Sequence, residues 1–305
     1  MNQAIVIKST GSWYFIKDVQ TGMMYEARIR GKFKKEKIKN TNPLAVGDKV
    51  DYEWENDSTA WITKIHPRKN YLIRKSVNLS KETHILASNI DLACIIFTFK
   101  NPRTSLGFLN RFLITCEAYQ IPILIVFNKI DLLSEEESEE LNGIDSVYRN
   151  IGYQTLKISA TENINIETVK EILQNKITVF SGHSGSGKTS IINALQPGLE
   201  LKTASISDYN EKGKHTTTFA RMYEWNFGGS IIDIPGIKEF ELVDVQKSEL
   251  QDYFPEIFRE RQHCKFNNCL HINEPQCAVI KAVEEGRISE KRYFHYLKLM
   301  EELPD

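Results

Sequence analysis

The chain has 305 residues, of which 41% are hydrophobic and 26% are charged, so its length fits about two or three folding units. With 39 basic and 40 acidic side chains its formal charge is −1, which argues against a strongly cationic nucleic-acid binder and against an acidic disordered tail. Because no apolar run approaches the roughly 18 residues of a membrane span, and no signal-peptide core is visible, we expect a cytoplasmic protein without a membrane partner.

Residues 1–75 consist of short stretches rich in aromatic and β-branched residues, separated by turn-forming residues. About five strands in this length predict a small all-β barrel of the oligonucleotide-binding type, although an SH3-like barrel would give nearly the same pattern. The segment carries 15 Lys and Arg against 8 Asp and Glu, and seven of the basic residues lie between Arg28 and Lys39. That run is either a solvated loop or protected edge strand, or a contact for an RNA backbone.

From residue 76 the pattern changes to short apolar runs that alternate with helical repeats. The runs that fit strands of a parallel sheet are residues 91–99, 121–127, 177–180 and 230–234. Between the first two, apolar residues recur at helical spacing: Leu109, Phe112, Leu113 and Cys116. An α/β domain over residues 76–244 is therefore predicted, with Cys94 and Cys116 in its core.

The motif Asn-Lys-Ile-Asp at residues 128–131 follows the second apolar run, where open α/β sheets bind ligands. A carboxylate can accept hydrogen bonds from both N1–H and the exocyclic amine of guanine, so we interpret Asp131 as a guanine reader. Asn128 and Lys129 would brace the loop and stack on the base. Ser159 and Ala160, after a further apolar stretch, would complete the pocket with a backbone N–H to the guanine O6.

Residues 181–190, with the sequence SGHSGSGKTS, stand between an apolar run and a helical pattern. They contain the spacing Gly-x4-Gly-Lys-Thr of a phosphate-binding loop. Its glycines let backbone N–H groups surround a phosphate, Lys188 reaches the β and γ oxygens, and the Thr189 hydroxyl coordinates Mg²⁺. The predicted nucleotide-binding residues here are Gly182, His183, Ser184, Gly185, Ser186, Gly187, Lys188, Thr189 and Ser190.

A metal-bound triphosphate also needs a carboxylate at the end of a neighbouring strand. Asp233 supplies it, and Gly236 would place a backbone N–H at the γ-phosphate. Together the three motifs predict GTP with Mg²⁺, whereas a P-loop ATPase or kinase would require Asp131 to be incidental. The base readers precede the phosphate loop, which is the reverse of the usual GTPase order, so the domain is circularly permuted.

The last regime, residues 245–305, is helical and polar and contains a cluster of thiols and one imidazole. The spacing Cys-x4-Cys-x-His-x5-Cys predicts one structural Zn²⁺ held by Cys264, Cys269, His271 and Cys277. Four protein ligands leave no position for a catalytic water, so the metal has a folding role. A stripe of apolar residues near the end of the chain is expected to pack in a core: Tyr293, Tyr296, Leu297 and Met300.

This motif order, with a barrel before it and a Cys/His module after it, resembles the ribosome small-subunit-dependent GTPase family (RsgA, also called YjeQ or YloQ). The resemblance covers essentially the whole chain. It implies a GTPase that binds the 30S ribosomal subunit and 16S rRNA through the barrel and the zinc module. It further implies a role in late subunit maturation and stimulation of GTP hydrolysis by the subunit, and we expect a monomer.

The segment 213–218 matches the family's Gly-Arg/Lys-His-Thr-Thr-Thr sequence. The candidate catalytic residues are therefore Lys188, His215 and Thr217. His215 would position water, and Thr217 or Thr218 would bind Mg²⁺ and the γ-phosphate. His215 could equally be a loop histidine that contacts phosphate or RNA.

The position at which many GTPases carry a water-orienting Gln is Ile237 here, so slow intrinsic turnover is expected. A nucleotide-gated RNA-binding switch with negligible turnover therefore stays an alternative. Because the strand that carries Asp233 leads within about ten residues into the Cys/His module, we also expect nucleotide state to move that module.

Overall fold

The computed structural model describes residues 2–10, 13–29, 43–56, 59–75, 83–199, 220–234 and 245–303. The strands are β1 (Asn2–Ser9), β2 (Tyr14–Asp18), β3 (Met24–Ile29), β4 (Lys49–Asn56), β5 (Thr59–Ile65), β6 (Tyr71–Lys75), β7 (Thr83–Ser88), β8 (Leu92–Thr98), β9 (Ile123–Asn128), β10 (Gln154–Lys157), β11 (Ile177–Ser181), β12 (Arg221–Glu224) and β13 (Ser230–Asp233). The helices are α1 (Leu106–Ala118), α2 (Glu135–Ile151), α3 (Ile166–Leu173), α4 (Lys188–Leu195), α5 (Lys247–Leu250), α6 (Pro255–Arg261), α7 (Ala278–Glu284) and α8 (Glu290–Glu302).

The first five strands close into a barrel in the ring order β1-β2-β3-β5-β4-β1. Strands β3 and β5 run parallel, and the other neighbours are antiparallel. Buried and half-buried residues alternate along β2, as the two-residue period of a strand requires. This ring order is that of the oligonucleotide-binding barrel, so the predicted barrel type is confirmed over the SH3-like alternative.

The α/β sheet follows in the order β10-β9-β8-β11-β13-β12, in which all strands except the last are parallel. Every residue of β8 and β9 is buried because helices cover both faces. The antiparallel strand β12 also pairs with β1, where Lys8 lies opposite Arg221, so barrel and sheet form one continuous sheet. The α/β prediction is confirmed, although the short strand β12 and the hairpin β6–β7 were not predicted from the sequence.

Two hydrophobic clusters, one on each face of this sheet, hold the helices. Helices α1 and α2 contribute Phe112 and Tyr148 to one cluster, and α3 and α4 contribute Val169 and Ile191 to the other. The two cysteines predicted as core, Cys94 and Cys116, are fully buried. Local sequence fixes the ends of α2: Ser134 and Glu137 form a reciprocal capping box, and Gly152 ends the helix at φ +116°.

The barrel is held against the α/β domain by a buried carboxylate. Asp48 is fully buried and accepts hydrogen bonds from Arg68 Nε and Nη2, both at 2.6 Å, and from Ser88 Oγ at 2.6 Å. A Cβ at the preceding Gly47 would lie 2.1 Å from the carbonyl oxygen of Ser88, and its φ is +97°. Only glycine therefore permits this approach of the two units.

Helices α5–α8 enclose a further apolar cluster with Leu250, Phe254 and Val279. Tyr296 and Met300 of the predicted stripe are buried in it. Ile114 of α1 joins the same cluster, so the C-terminal helices pack directly on the α/β domain. The division into residues 1–75, 76–244 and 245–305 stays a prediction, and its first limit falls at the end of β6. Within the described segments, no helix combines the length and apolar character of a membrane crossing.

Candidate nucleotide and metal sites

The glycine-rich loop 182–187 connects β11 to α4 at the carboxyl edge of the parallel sheet. It lies tightly against the ends of β8 and β9. A Cβ at Gly182 would lie 2.9 Å from the carbonyl oxygen of Ile96, and one at Gly187 would lie 2.3 Å from Nδ2 of Asn128. The backbone of Gly187 also has φ +95°, so a side chain there would be both strained and obstructed.

Asn128 joins the predicted phosphate loop to the predicted base-reading loops. Its Nδ2 donates to the carbonyl oxygen of Ser186 at 2.9 Å, and its Oδ1 accepts from the backbone N–H of Ala160 at 3.3 Å. The side chain is buried, which makes each of these polar contacts costly to lose. Lys129 lies beside it, and its Nζ donates to the carbonyl oxygen of Gly185 at 2.7 Å.

Asp131 lies in the 3-10 turn Ile130–Leu132 and is exposed, so its carboxylate is open to a ligand. The neighbouring Ser159 is buried, and its Oγ accepts from the backbone N–H of Glu162 at 3.1 Å. The backbone N–H groups of Ser159 and Ala160, one of which was predicted to bind guanine O6, both have acceptors within the chain: Ser159 N donates to Ile164 O, and Ala160 N donates to Oδ1 of Asn128.

Two ionisable groups, one beside the phosphate loop and one at the end of the neighbouring strand β13, have shifted pKa values. Lys188 is half-buried, and its Nζ donates to the carbonyl oxygens of Gly182 and, at 2.9 Å, of His183. Burial lowers the pKa of Lys188 because the ammonium loses hydration. Asp233 ends β13, the parallel neighbour of β11, and burial raises the pKa of its carboxyl. A phosphate beside Lys188 or a cation beside Asp233 would favour the charged form of each.

The remaining loop residues differ in exposure. Ser184, Gly185, Thr189 and Ser190 are exposed, so the mouth of the loop opens to solvent. Ser186 is buried, and its Oγ has no hydrogen-bond partner among the described residues. His215, Thr217 and Gly236 lie outside the described residues, as do Ile237 and most of the basic run between Arg28 and Lys39.

A third loop lies at this edge, residues 99–104 after β8, and it was not predicted from the sequence. The carbonyl oxygen of Asn101 accepts from Nζ of Lys129, and Pro102 Cδ lies 3.3 Å from the Cβ position at Gly185. The polar stretch after the buried strand β8 could have predicted this loop, because the carboxyl ends of parallel strands lie at one edge of the sheet. No pattern in the sequence predicts the ring contact between His183 and Phe108 of α1, whose centroids are 4.0 Å apart.

The four predicted zinc ligands lie together. Their donor atoms, the Sγ atoms of Cys264, Cys269 and Cys277 and a ring nitrogen of His271, are all within 4.8 Å of one another. His271 Nδ1 is 3.3 Å from Cys277 Sγ and 3.6 Å from Cys264 Sγ. Gln251, which was not predicted from the sequence, places its Oε1 at 2.9 Å from the other ring nitrogen of His271, Nε2.

The donor set has the chemistry of a structural zinc site. Because Nε2 of His271 faces the acceptor oxygen of Gln251, it carries the proton and leaves the Nδ1 lone pair toward the sulfurs. Burial lowers the pKa of His271 and so favours the neutral ring that a metal requires. Burial raises the pKa of Cys269 to about 12, a shift that a bound cation would reverse. Three thiolates and one imidazole fit tetrahedral Zn²⁺.

Family models match most of the chain. The model described as RsgA GTPase matches residues 65–243, and the model described as RsgA N-terminal domain matches residues 3–62. A Flavobacterium psychrophilum protein named small ribosomal subunit biogenesis GTPase RsgA is 52% identical over 300 residues, which are 97% of this chain and 92% of that protein. A Bacteroides fragilis protein of the same name is 49% identical over 98% of this chain and 96% of its own length.

Two solved structures are similar over nearly the full length. The crystal structure of YjeQ from Thermotoga maritima has a TM-score of 0.84 and 32% identity, covering 99% of this chain and 98% of that one. The structure of YloQ, described as a circularly permuted GTPase, has a TM-score of 0.79 and 32% identity, covering 99% of this chain and 94% of that one.

Proposed function

This chain belongs to the RsgA GTPase family, and we propose that it hydrolyses GTP to GDP and phosphate during biogenesis of the small ribosomal subunit. The observation that carries the proposal is the position of Asn128. Its amide bonds both to the phosphate loop at Ser186 and to the base-reading loop at Ala160, so both halves of a nucleotide site are fixed by one side chain.

Within this site, we assign guanine recognition to Asp131, whose exposed carboxylate can accept two hydrogen bonds from the base. Asn128 and Lys129 hold the base loop against the phosphate loop. Lys188 leaves the loop carbonyls for the β and γ oxygens when nucleotide binds, and its burial strengthens that attraction. The backbone N–H groups of residues 182–190 then surround the phosphates.

Thr189 and Asp233 offer the hard oxygen donors that Mg²⁺ prefers, at the edge where the phosphate loop begins. When bound, Mg²⁺ neutralises charge that develops on the phosphates. We further propose that His215 positions water, that Thr217 contacts the metal and that Gly236 donates to the γ-phosphate. Cys264, Cys269, His271 and Cys277 would hold one Zn²⁺ that stabilises the C-terminal fold.

We propose the 30S subunit and its 16S rRNA as partners of a monomeric, cytoplasmic protein acting late in maturation. The barrel supports an RNA contact: Arg28 lies over the ring of Trp13 at 3.7 Å, and Trp54 is 42% exposed. The net positive charge of residues 1–75 favours the same partner. We retain the three-part division at residues 75 and 244 as part of this proposal.

The substitution Asp131→Asn tests the guanine assignment. We expect the nucleotide preference of the variant to move from GTP to xanthosine triphosphate, because the amide replaces one hydrogen-bond acceptor by a donor. Nucleotide affinity is measured for both bases, with Glu135→Gln, an exposed acidic residue of the adjacent helix, as the matched control. An unchanged preference in Asp131→Asn would contradict the assignment and favour the ATPase reading.

Turnover tests the enzymatic part. GTP hydrolysis is measured under multiple turnover at fixed salt, with and without small ribosomal subunits, and Lys188→Ala serves as the blank. We expect slow basal hydrolysis and a large stimulation by the subunit that ATP does not reproduce. Tight GTP binding with no turnover in either condition would favour the nucleotide-gated switch.

A further inference from the structure

Helix α1 lies between the phosphate loop and the C-terminal module, which we define as residues 245–303. One stripe of α1 at helical spacing contacts that module: Gly107, Asn110, Arg111 and Ile114. Oδ1 of Asn110 accepts from Nη1 of the buried Arg292 at 2.7 Å. Ile114 is fully buried within the apolar cluster of the module, so this stripe is a packed interface.

The first turn of α1 also contacts the phosphate loop. The ring of Phe108 packs on the ring of His183, with centroids 4.0 Å apart and planes tilted by 32°. The backbone N–H of Phe108 donates to Oγ of Ser105 at 3.1 Å, which fixes this turn. The carbonyl oxygen of His183 in turn accepts from Lys188 Nζ at 2.9 Å and from the backbone N–H of Ser186 at 3.1 Å.

The two contacts are adjacent on the helix. A Cβ at Gly107, the residue before Phe108, would lie only 3.3 Å from Cε1 of His295 in α8. His183 and His295 line the same cleft of about 520 Å³ between α1 and α8. One rigid turn of α1 therefore touches the phosphate loop on one side and the last helix of the module on the other.

We propose that His183 is a positioning residue: its packing on Phe108 couples the conformation of the phosphate loop to the seating of the C-terminal module on α1. The inference rests on the proposed GTP site. It differs from a coupling through the segment that follows Asp233, because it runs through the phosphate loop itself. Since linkage is reciprocal, a nucleotide bound in the loop stabilises the packing of α8 on α1, and this packing in turn raises the affinity for nucleotide.

The size of the effect follows from the contact. A contact between two aromatic rings shifts an equilibrium roughly 2- to 13-fold. We therefore expect His183→Ala to weaken GDP binding within that range, and His183→Phe, which keeps a ring against Phe108, to weaken it less than His183→Ala does. Phe108→Leu, which removes the ring from the other side while keeping apolar volume, should reproduce His183→Ala.

The test combines a fluorescent GDP analogue for affinity with hydrogen exchange of residues 290–302 in the full chain, without nucleotide and at saturating GDP for each variant. Wild type and His183→Phe should gain protection in α8 on GDP binding, whereas His183→Ala and Phe108→Leu should not. Tyr71→Ala is the matched control, because Tyr71 packs on Tyr119 at the opposite end of α1, at 5.5 Å between centroids.

Two results would overturn the inference and leave the proposed function intact. In the first, the wild type binds GDP, and both ring-removing variants keep the wild-type affinity for GDP and gain the wild-type protection in α8. In the second, Tyr71→Ala shows the same loss as the ring-removing variants. A loss in His183→Phe equal to that in His183→Ala would also overturn it, since the ring contact would then not be the cause. Failure of the wild type to bind GDP would instead refute the proposed function. Melting curves identify a variant that fails to fold, and Phe108→Leu and His183→Ala serve as replacements for each other.

Discussion

Two acidic residues one turn apart on α6 provide a comparison of a buried and an exposed ion pair at the C-terminal module. Glu256 is 7% exposed, and its carboxylate accepts from Arg292 Nε at 2.6 Å and Nη2 at 3.1 Å. Glu260 pairs with Arg287, and their side chains are 25% and 46% exposed. The substitutions Glu256→Ala and Glu260→Ala therefore remove the same group from two different environments.

The expected magnitudes differ because of burial. Arg292 is 1% exposed, and although burial alone would lower its pKa, the Glu256 carboxylate raises the pKa of the guanidinium. Removing Glu256 leaves a buried cation without its counter-ion, a loss of about 3–5 kcal/mol. Removing Glu260 from a solvated pair costs about 0–1 kcal/mol.

Native-state hydrogen exchange of the amides of α6 and α8 measures both losses as free energies of opening, without requiring a two-state transition of the whole chain. A double variant, Glu256→Met with Arg292→Leu, should recover most of the loss, because neither charge of this buried pair is left without the other. Equal losses in Glu256→Ala and Glu260→Ala, or no recovery in the double variant, would refute this reasoning.

Three further predictions concern other parts of the molecule. Gly187→Ala should weaken GDP binding by at least about tenfold, since its Cβ would meet the amide of Asn128 at 2.3 Å. Gly143→Ala in α2, where the new Cβ would have nothing within 4 Å, should instead stabilise the chain by about 0.5–1 kcal/mol. Titration calorimetry measures the affinity for GDP, and scanning calorimetry measures the stability. Chelation of zinc, or Cys269→Ala, should unfold the C-terminal module, seen as loss of hydrogen-exchange protection in residues 245–303, whereas protection that survives metal removal would contradict a folding role. Burial alone would raise the pKa of Asp145, but hydrogen bonds from Thr155 and Lys157 lower it. Its stabilisation is therefore complete above the unfolded value of 3.8 and is lost as pH falls through the lower folded pKa. Asp145→Asn should be less stable than the wild type at pH 7 and should approach it in acid, as urea titrations at several pH values would show.

The sequence by itself determined the fold class and the family. Continuous apolar runs predicted β8 and β9, because strands buried on both faces need no alternation. The permuted motif order predicted the RsgA family, and that prediction is confirmed. Short strands with charged ends, such as β12, carry too few residues for a periodic signal.

The residues of the candidate sites also divide into those that the sequence predicts and those that it does not. Spacing placed the phosphate loop between a strand and a helix and selected four zinc ligands, because both motifs are local in the chain. Gln251 lies 20 residues from its partner His271, and no pattern in the sequence links the two. The roles of Asp131, Lys188 and Asp233 stay predictions, and those of His215 and Thr217 fall on residues outside the described segments.

Tertiary structure alone decided how the parts are joined. Asn128 meets Ser186 across 58 residues, and Arg292 meets Asn110 across 182. Such contacts depend on which strands share a sheet edge and which helix faces meet, whereas local sequence encodes only periodicity, caps and turns. The sequence therefore determined the groups available for nucleotide and metal, and packing decided that α1 lies against both the phosphate loop and the C-terminal module.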